Sequence, residues 1–287
     1  MKVILAKSAG FCKGVRRAIK LARKIAEDTR QKIPDAIIFT DGPLIHNAKM
    51  LEVLRSEGIL EASEENLPEN ATLIIRAHGI TPERYAFLKR KTRQIIDCTC
   101  PDVARSQKIV SEYSQKGYAI VVYGDPNHAE VKALLGCAKS HGFVVSSTED
   151  VDGLPAMNSY KGICILAQST QIPSEYEKIT QRLNDRYQNV FILDTICRST
   201  KFRQKELVEI ARKVDAMVIV GDPRSANTKN LYKIAQKLKP TFLVQDADEL
   251  DEEKFRRFNV VGLSAGASTP DFIIMRVKEK LESFSPS

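Results

Sequence analysis

Three of the six cysteines in this chain occupy matched positions of an internal repeat. Cys100 and Cys197 are 97 residues apart. The same shift carries Asp97 onto Asp194. It also carries the run Val122 to Lys132 (Val-Tyr-Gly-Asp-Pro-Asn-His-Ala-Glu-Val-Lys) onto Ile219 to Lys229 (Ile-Val-Gly-Asp-Pro-Arg-Ser-Ala-Asn-Thr-Lys), with Gly-Asp-Pro, Ala and Lys coinciding. Cys98 lands on Thr195 and so has no partner. The first third follows the plan more loosely, with Cys12, then Asp41-Gly42-Pro43 and His46-Asn47. Each third later carries an apolar run that ends at an alanine. From Cys12 to Ala77, Cys100 to Ala167 and Cys197 to Ala265 the intervals are 65, 67 and 68 residues. A proline follows (Pro82, Pro173, Pro270) and heads a helical pattern, with an acidic residue behind it (Glu83, Glu175, Asp271). Self-similarity at a fixed period is the mark of a repeated architecture. Gly-Asp-Pro turns alone are common in α/β proteins, but they do not account for matched cysteines.

Placed about a pseudo-threefold axis, the repeats bring Cys12, Cys100 and Cys197 to one point. Three thiolates are one ligand short of a closed structural zinc site. They suit a [4Fe–4S] cluster that keeps one iron free of protein ligands, a centre for redox or elimination chemistry. Cys137 and Cys164 sit in apolar runs and read as small buried hydrophobes. No Cys-x-x-Cys pair supports a zinc ribbon or a thioredoxin-like motif. The loops around the three cysteines offer His46, Asn47, His78, His128, Glu130, Ser169, Thr170, Ser225, Asn227, Ser268 and Thr269. Three of the four histidines fall on them, and only His141 does not. Hydroxyls, amides and imidazoles beside helix N-termini fit a phosphate or diphosphate. Glu130, the one carboxylate among them, is the natural proton donor.

These residues need strands and helices to carry them. Val3 to Ala6, Ile95-Ile96 and Val190 to Leu193 read as strands running into the cysteines. Ile37 to Phe39, Ile120 to Tyr123 and Met217 to Val220 read as strands running into the Gly-Pro loops. Gly14 to Glu27 has apolar residues at helical spacing, and the stretch after Pro101 repeats this with Val103, Ile109 and Val110. Strands alternating with helices predict parallel sheets, whose ligands bind at the carboxyl ends of the strands. Every polar signature falls there. The fold class is therefore α/β, with three quasi-repeated parallel-sheet units over 1–92, 93–189 and 190–287, in a pseudo-threefold trefoil. The acidic stretch Asp246 to Glu253 reads as a solvated helix face.

Composition narrows the classes further. With 43% hydrophobic and 28% charged residues, the chain is neither disordered nor fibrous. No apolar run approaches the ~18 residues of a membrane span. The start at Met1 shows no secretory leader, so a cytoplasmic location without a membrane partner is expected. The net charge of +8 favours anionic partners. The absence of Trp argues against a base-stacking surface, and no nucleic acid is expected.

Taken together, the motifs resemble one family. They are Gly10-Phe11-Cys12-Lys13-Gly14-Val15, His46-Asn47, Ala77-His78-Gly79, Asp97-Cys98-Thr99-Cys100-Pro101, His128-Ala129-Glu130-Val131, Gln168-Ser169-Thr170, Asp194-Thr195-Ile196-Cys197, Ser225-Ala226-Asn227-Thr228 and Ala265 to Asp271. In this order they resemble the 4-hydroxy-3-methylbut-2-enyl diphosphate reductase (LytB) family over nearly the whole chain. The resemblance implies a trefoil around one [4Fe–4S] cluster per chain, with Cys12, Cys100 and Cys197 as ligands and one open iron. It implies a catalytic group of Glu130, Ser169 and His128. Substrate binding would fall to His46, Asn47, His78, His128, Ser169, Thr170, Ser225, Asn227 and Ser268. The substrate would be an allylic diphosphate, and the electron donor a ferredoxin or flavodoxin. The products would be isopentenyl and dimethylallyl diphosphates.

Three positions depart from the family pattern. Ser169 replaces a threonine, keeping the hydroxyl but losing the methyl that restricts its rotamer. Ala226 replaces a serine, removing a hydrogen bond worth ~0.5–1.5 kcal/mol. Cys98 replaces a small residue, and its lack of a repeat partner marks it as a bystander. A diverged cluster enzyme acting on another phosphorylated substrate is therefore an open alternative. Quinolinate synthase and the diphthamide radical enzymes share the three-cysteine layout without these loops. A metal-free sugar-phosphate enzyme and a redox-sensing or nucleic-acid-binding protein are further readings. Lys13, Arg16, Arg17, Lys20 and Lys24 fall on one helical face just after Cys12. Such a run is ordinarily a solvated face. Here it also suits an acidic electron-transfer protein.

Overall fold

The computed structural model describes residues 1–34, 36–63, 67–68, 71–139 and 142–285. His141 lies outside them. The chain forms three parallel four-stranded sheets, and it divides into two compact bodies. The first body comprises Met1–Arg16, Ile45–Leu54 and Arg198–Ser287, and the second Arg17–Leu44 and Arg55–Cys197.

The second body holds two sheets. One contains β2 (Ile38–Asp41), β3 (Ile59–Ala62), β4 (Thr72–Ile75) and β5 (Gln94–Asp97) in the order β3-β2-β4-β5. The other contains β6 (Ala119–Tyr123), β7 (Phe143–Val145), β8 (Ile163–Ala167) and β9 (Val190–Leu193) in the order β7-β6-β8-β9. The first body holds β1 (Lys2–Leu5), β10 (Ala216–Val220), β11 (Thr241–Val244) and β12 (Val260–Ala265) in the order β1-β12-β10-β11. Read from its other edge, this third sheet has the same order as the first two, with β1 in the place of β5 and β9. The strand leading into each cysteine thus closes the sheet of the preceding repeat. Cys12, from the start of the chain, follows the strand that closes the last one. The sheets are offset by one strand from the sequence repeats, because a period fixes the spacing of a repeat and not where it is cut.

The central strands explain themselves. β6, β8 and β10 read Ala-Ile-Val-Val-Tyr, Ile-Cys-Ile-Leu-Ala and Ala-Met-Val-Ile-Val, and every residue in them is buried. A parallel strand covered by helices on both faces needs such an unbroken apolar run. Around β6 and β8 the core includes Val121, Ile165, Tyr176 and Leu183 on one face and Ile120, Val122, Leu134 and Leu166 on the other. Around β10 and β12 it includes Val218, Leu263, Ile273 and Phe255 on one face, and Met217, Ile219, Leu207 and Leu231 on the other.

Strand ends pass into helix starts. α1 (Lys13–Arg30), α4 (Pro101–Gln115) and α8 (Arg198–Ala211) each begin one residue after a repeat cysteine. α2 (Ala48–Ser56) begins after His46-Asn47, and α3 (Pro82–Lys91) after the loop of His78. α5 (Ala129–Leu135) follows His128, α7 (Pro173–Arg186) follows Ser169, α9 (Ala226–Gln236) follows Ser225, and α11 (Asp271–Ser283) follows Ser268. Pro82, Pro101 and Pro173 occupy first helical positions, where a missing N–H costs nothing. Two short helices, α6 (Thr148–Asp152) and α10 (Glu252–Phe255), and a 3-10 turn at Ala247–Glu249 complete the described elements.

The acidic stretch departs from expectation at its first residue. Asp246 is 3% exposed and pairs with Lys49 and Arg276. It is a buried ion-paired group, and Ala247 and Leu250 are buried with it, while Asp248, Glu249, Asp251, Glu252 and Glu253 lie at the surface. Among the described residues, no helix is long and apolar enough to cross a membrane.

Candidate active site

All the residues singled out by the repeat lie beyond the carboxyl ends of parallel strands or in the first turn of the helix that follows. That is the ligand-binding end of an open α/β sheet.

In the second body, a continuous set of contacts links several of them. Glu130, second residue of α5, is 2% exposed. Its Oε1 accepts the Ser169 backbone N–H at 2.6 Å and its Oε2 accepts the Ser169 hydroxyl at 2.8 Å. Burial pushes the Glu130 carboxyl up to about 7. The two hydrogen bonds from Ser169 oppose that rise by favouring the charged form, and the charge on Asp102 adds to it. A carboxylic acid poised near neutrality, with a hydroxyl against it, is equipped to deliver a proton. His128 caps the same helix, its Nδ1 accepting the Glu130 backbone N–H at 3.2 Å. When neutral, the ring therefore carries its proton on Nε2. The His78 ring meets it edge-on, with centroids 5.2 Å apart.

The backbone ties this group to two of the cysteines. The Cys197 N–H donates to the Ser169 carbonyl at 3.0 Å, and the Cys100 N–H to the Ala77 carbonyl at 2.9 Å. Ala77 directly precedes His78. Two residues beside the candidate side chains hold the loops in place. The fully buried Gln168 side chain accepts the Asp125 N–H at 3.1 Å and donates to the Thr170 hydroxyl at 3.0 Å. The Thr195 hydroxyl accepts from Ala167 N–H at 2.8 Å and donates to the Ala167 carbonyl at 2.6 Å. Gln168 stands in a quoted motif and Thr195 at the repeat position of Cys98, so spacing points to both without revealing their work.

In the first body, Cys12 is held from both sides. Its N–H donates to the Ala267 carbonyl at 3.1 Å, and its sulfur accepts the Val15 N–H at 3.4 Å. The Ser268 hydroxyl donates to the His46 carbonyl at 2.9 Å. Asn47 is buried, and its Oδ1 accepts the Met50 N–H at 2.9 Å. It thus caps α2 with the oxygen of its side chain. Ser225 caps α9. Ser225, Asn227 and Ser268 are 6%, 4% and 6% exposed, and the buried Nδ2 of Asn227 and Oγ1 of Thr228 have no protein partner among the described residues. Buried donors in that condition are costly unless a ligand or water meets them.

The start of α9 fits closely against two glycines. A Cβ on Gly221, whose φ is 152°, would stand 2.6 Å from Thr228 Oγ1, and one on Gly266 would strike the same atom. Gly266→Ala is therefore expected to destabilise the protein by ~1–3 kcal/mol. Thermal unfolding checks this, and Thr228→Ala in the same chain should recover most of the loss.

The six cysteines separate into two kinds. Cys12, Cys100 and Cys197 are half-buried and stand at helix N-termini. Cys98 and Cys164 are fully buried, and Cys137 is held against the Ala133 carbonyl at 3.3 Å. Burial pushes the thiols of Cys98 and Cys137 up to about 11 and that of Cys164 up to about 12. The first kind fits a thiolate-ligated metal group and the second does not.

An α/β chain with three parallel sheets, a buried acid–hydroxyl pair and three helix-start cysteines has the parts of a redox enzyme acting on an anionic substrate. The LytB protein family matches residues 3–282, and the chain belongs to it. It is 41% identical over 297 residues to the 4-hydroxy-3-methylbut-2-enyl diphosphate reductase of Opitutus terrae, covering 99% of this chain and all of that one. A solved structure of (E)-4-hydroxy-3-methyl-but-2-enyl diphosphate reductase, described as the terminal enzyme of the non-mevalonate pathway, superimposes with a TM-score of 0.69 at 36% identity. It covers 98% of this chain and 99% of that one. The E-1-hydroxy-2-methyl-but-2-enyl-4-diphosphate reductase from Plasmodium falciparum superimposes with a TM-score of 0.90 at 27% identity, covering 100% and 91%. The fold class read from the sequence is that of these reductases. Membership makes the chain an oxidoreductase and implies an iron–sulfur cluster.

Proposed function

We propose that this chain reduces (E)-4-hydroxy-3-methylbut-2-enyl diphosphate to isopentenyl and dimethylallyl diphosphates, the last step of the non-mevalonate isoprenoid route. The observation that carries this reading is the buried Glu130–Ser169 pair, in a chain that matches the reductases along nearly its whole length. Two electrons and two protons enter, the carbon–oxygen bond to the hydroxyl breaks, a carbon–hydrogen bond forms and water leaves. Cys12, Cys100 and Cys197 would hold one [4Fe–4S] cluster per chain, and with three protein ligands such a cluster would supply single electrons and Lewis acidity to the substrate.

The remaining work belongs to side chains. Protonated Glu130 hydrogen-bonds to the Ser169 hydroxyl, which passes a proton on to the departing oxygen. His128, its Nδ1 engaged by the helix start, keeps Nε2–H for the diphosphate. His46, Asn47, His78, Thr170, Ser225, Asn227 and Ser268 bind the rest of the substrate. The orphaned Asn227 amide gains its partner there. Ser169 supplies the hydroxyl that a threonine would, so that departure leaves the proton path whole. Ala226 supplies no hydroxyl, and it favours a second reading in which a different phosphorylated substrate is accepted. Product analysis separates the two. The reconstituted protein should convert the allylic diphosphate to two isomeric diphosphates. A marked preference for an allylic monophosphate, or no conversion of the diphosphate, would overturn the first reading.

Electrons come from a ferredoxin or flavodoxin that docks on α1. Lys13, Arg16, Arg17, Lys20 and Lys24 are exposed on that helix, while Ala18, Ile19, Ala22 and Ala26 are buried. Arg23 is already paired with Glu57 at 2.7 Å. Turnover with ferredoxin should fall steeply with added salt, and by at least ~10-fold in Lys20→Glu/Lys24→Glu. Turnover with a small neutral reductant should be unchanged by the same substitutions. Salt-independent turnover with ferredoxin would rule this surface out. The reading keeps the enzyme in the cytoplasm, whose reducing conditions preserve the three thiols.

A further inference from the structure

One buried charge in the first body is not used by the chemistry above. Arg203, in the second turn of α8, is 2% exposed. Its Nη1 donates to the carbonyls of Ser8 and Ala265, the latter at 3.0 Å, and its Nη2 donates to the Gly10 carbonyl at 3.0 Å. Ser8 and Gly10 belong to the loop that leaves β1, two to four residues before Cys12. Ala265 ends β12, next to the loop whose Ala267 carbonyl accepts the Cys12 N–H. One turn further along α8, Glu206 grips the same loop from its other polarity. Its carboxylate accepts the Lys7 N–H and the Ser8 N–H, each at 2.9 Å, and the Ser8 hydroxyl.

The loop needs this support. β1 ends its pairing with β12 at Leu5, so the carbonyls of Ser8 and Gly10 have no ladder to join, and buried carbonyls require partners. Gly10 has a φ of 99°, and a Cβ there would meet Asp271 Oδ1 at 2.6 Å. The backbone before Cys12 is thus held in a left-handed turn that only glycine adopts cheaply. A planar guanidinium reaches three carbonyls from one side chain, which an ammonium does not do in the same geometry. Because α8 starts directly after Cys197, the helix that follows one cysteine braces the loop that precedes another.

We propose that Arg203 and Glu206 are positioning residues that hold Cys12 in place for its metal group. This rests on Cys12 being a cluster ligand, as proposed above. Groups that orient metal ligands from behind typically matter 10- to 100-fold in metal affinity. The test uses the full chain, reconstituted with iron and sulfide without air. The readout is the rate at which a ferrous chelator strips the iron, with unfolding of the metal-free protein measured alongside. Arg203→Met should lose iron about 10- to 100-fold faster than the wild type, with Arg203→Lys and Glu206→Gln intermediate. Leu281→Ala, a core truncation in the same body, is the control for general destabilisation and should lose iron near the wild-type rate. If Arg203→Met does not fold, Arg203→Lys and Glu206→Gln carry the comparison. Iron loss at the wild-type rate in the folded variants, or equally fast loss in Leu281→Ala, would overturn the proposal. Full iron content in Cys12→Ala would instead overturn the ligand assignment beneath it.

Discussion

Glu130→Gln is expected to lower turnover on the order of 10²- to 10⁴-fold while leaving the cluster and the diphosphate in place. Glutamine matches the shape of the acid. Its Oε1 can still accept the Ser169 N–H, and its amide can donate to the Ser169 hydroxyl. What it cannot do is release a proton. The wild-type carboxyl, held near 7, is protonated below that value, so turnover should fall as pH rises through it. Ser169→Ala removes a hydrogen bond that favours the charged form, so the alkaline limb should move upward as the rate drops. Stability carries the same signature. A carboxyl raised from 4.5 to about 7 on folding leaves the folded state holding more protons than the unfolded one between those values. Folded-state stability is therefore lost as pH rises through that window, by on the order of 3 kcal/mol. The glutamine variant has no such proton to lose. Its metal-free form should be more stable than the wild type at pH 8 and not at pH 4. Equal turnover in Glu130→Gln, measured at matched iron content, would remove the residue from the chemistry.

Single cysteine substitutions should divide cleanly. Cys12→Ala, Cys100→Ala and Cys197→Ala are each expected to lose the brown cluster and all turnover, because three thiolates leave no spare ligand. Cys98→Ala, Cys137→Ala and Cys164→Ala should keep both. Burial keeps these three thiols protonated well above neutral pH, and a thiol is a poor ligand beside a thiolate. Cys98 is the informative case, since it lies two residues from Cys100. Its sulfur is fully buried near the Ala18 carbonyl, 4.0 Å away. Anaerobic reconstitution followed by iron and sulfide analysis decides it. A Cys98→Ala protein without iron, beside a Cys100→Ala protein that retains it, would reverse the assignment.

The parts legible in the sequence were those whose chemistry forces both residue type and place. A cysteine at the end of a strand, a Gly-Asp-Pro turn and a proline at a helix start each occupy one position per repeat, so spacing reveals them. The central strands were legible because burial on both faces leaves only apolar residues. The edge strands β3, β7 and β11 were not, since one-sided pairing tolerates Glu61 or Thr241 and weakens the pattern. The closing of the third sheet by β1 is invisible to a repeat search, which sees the period and not the cut. Arg203 and Glu206 read as ordinary helix charges, and only their carbonyl and amide partners, nearly two hundred residues away in sequence, show otherwise. Asp246 is similar. It sits in an acidic run, yet Lys49 and Arg276 take it into the interior.

The most direct measurement is anaerobic turnover by the reconstituted protein, with hydroxymethylbutenyl diphosphate and a reduced viologen dye as electron source. Rapid dye oxidation is expected, with two electrons consumed per diphosphate converted. Oxidation should vanish in Cys197→Ala and collapse in Glu130→Gln. A brown, iron-replete protein that leaves the dye reduced would keep the three-cysteine centre and refute the substrate.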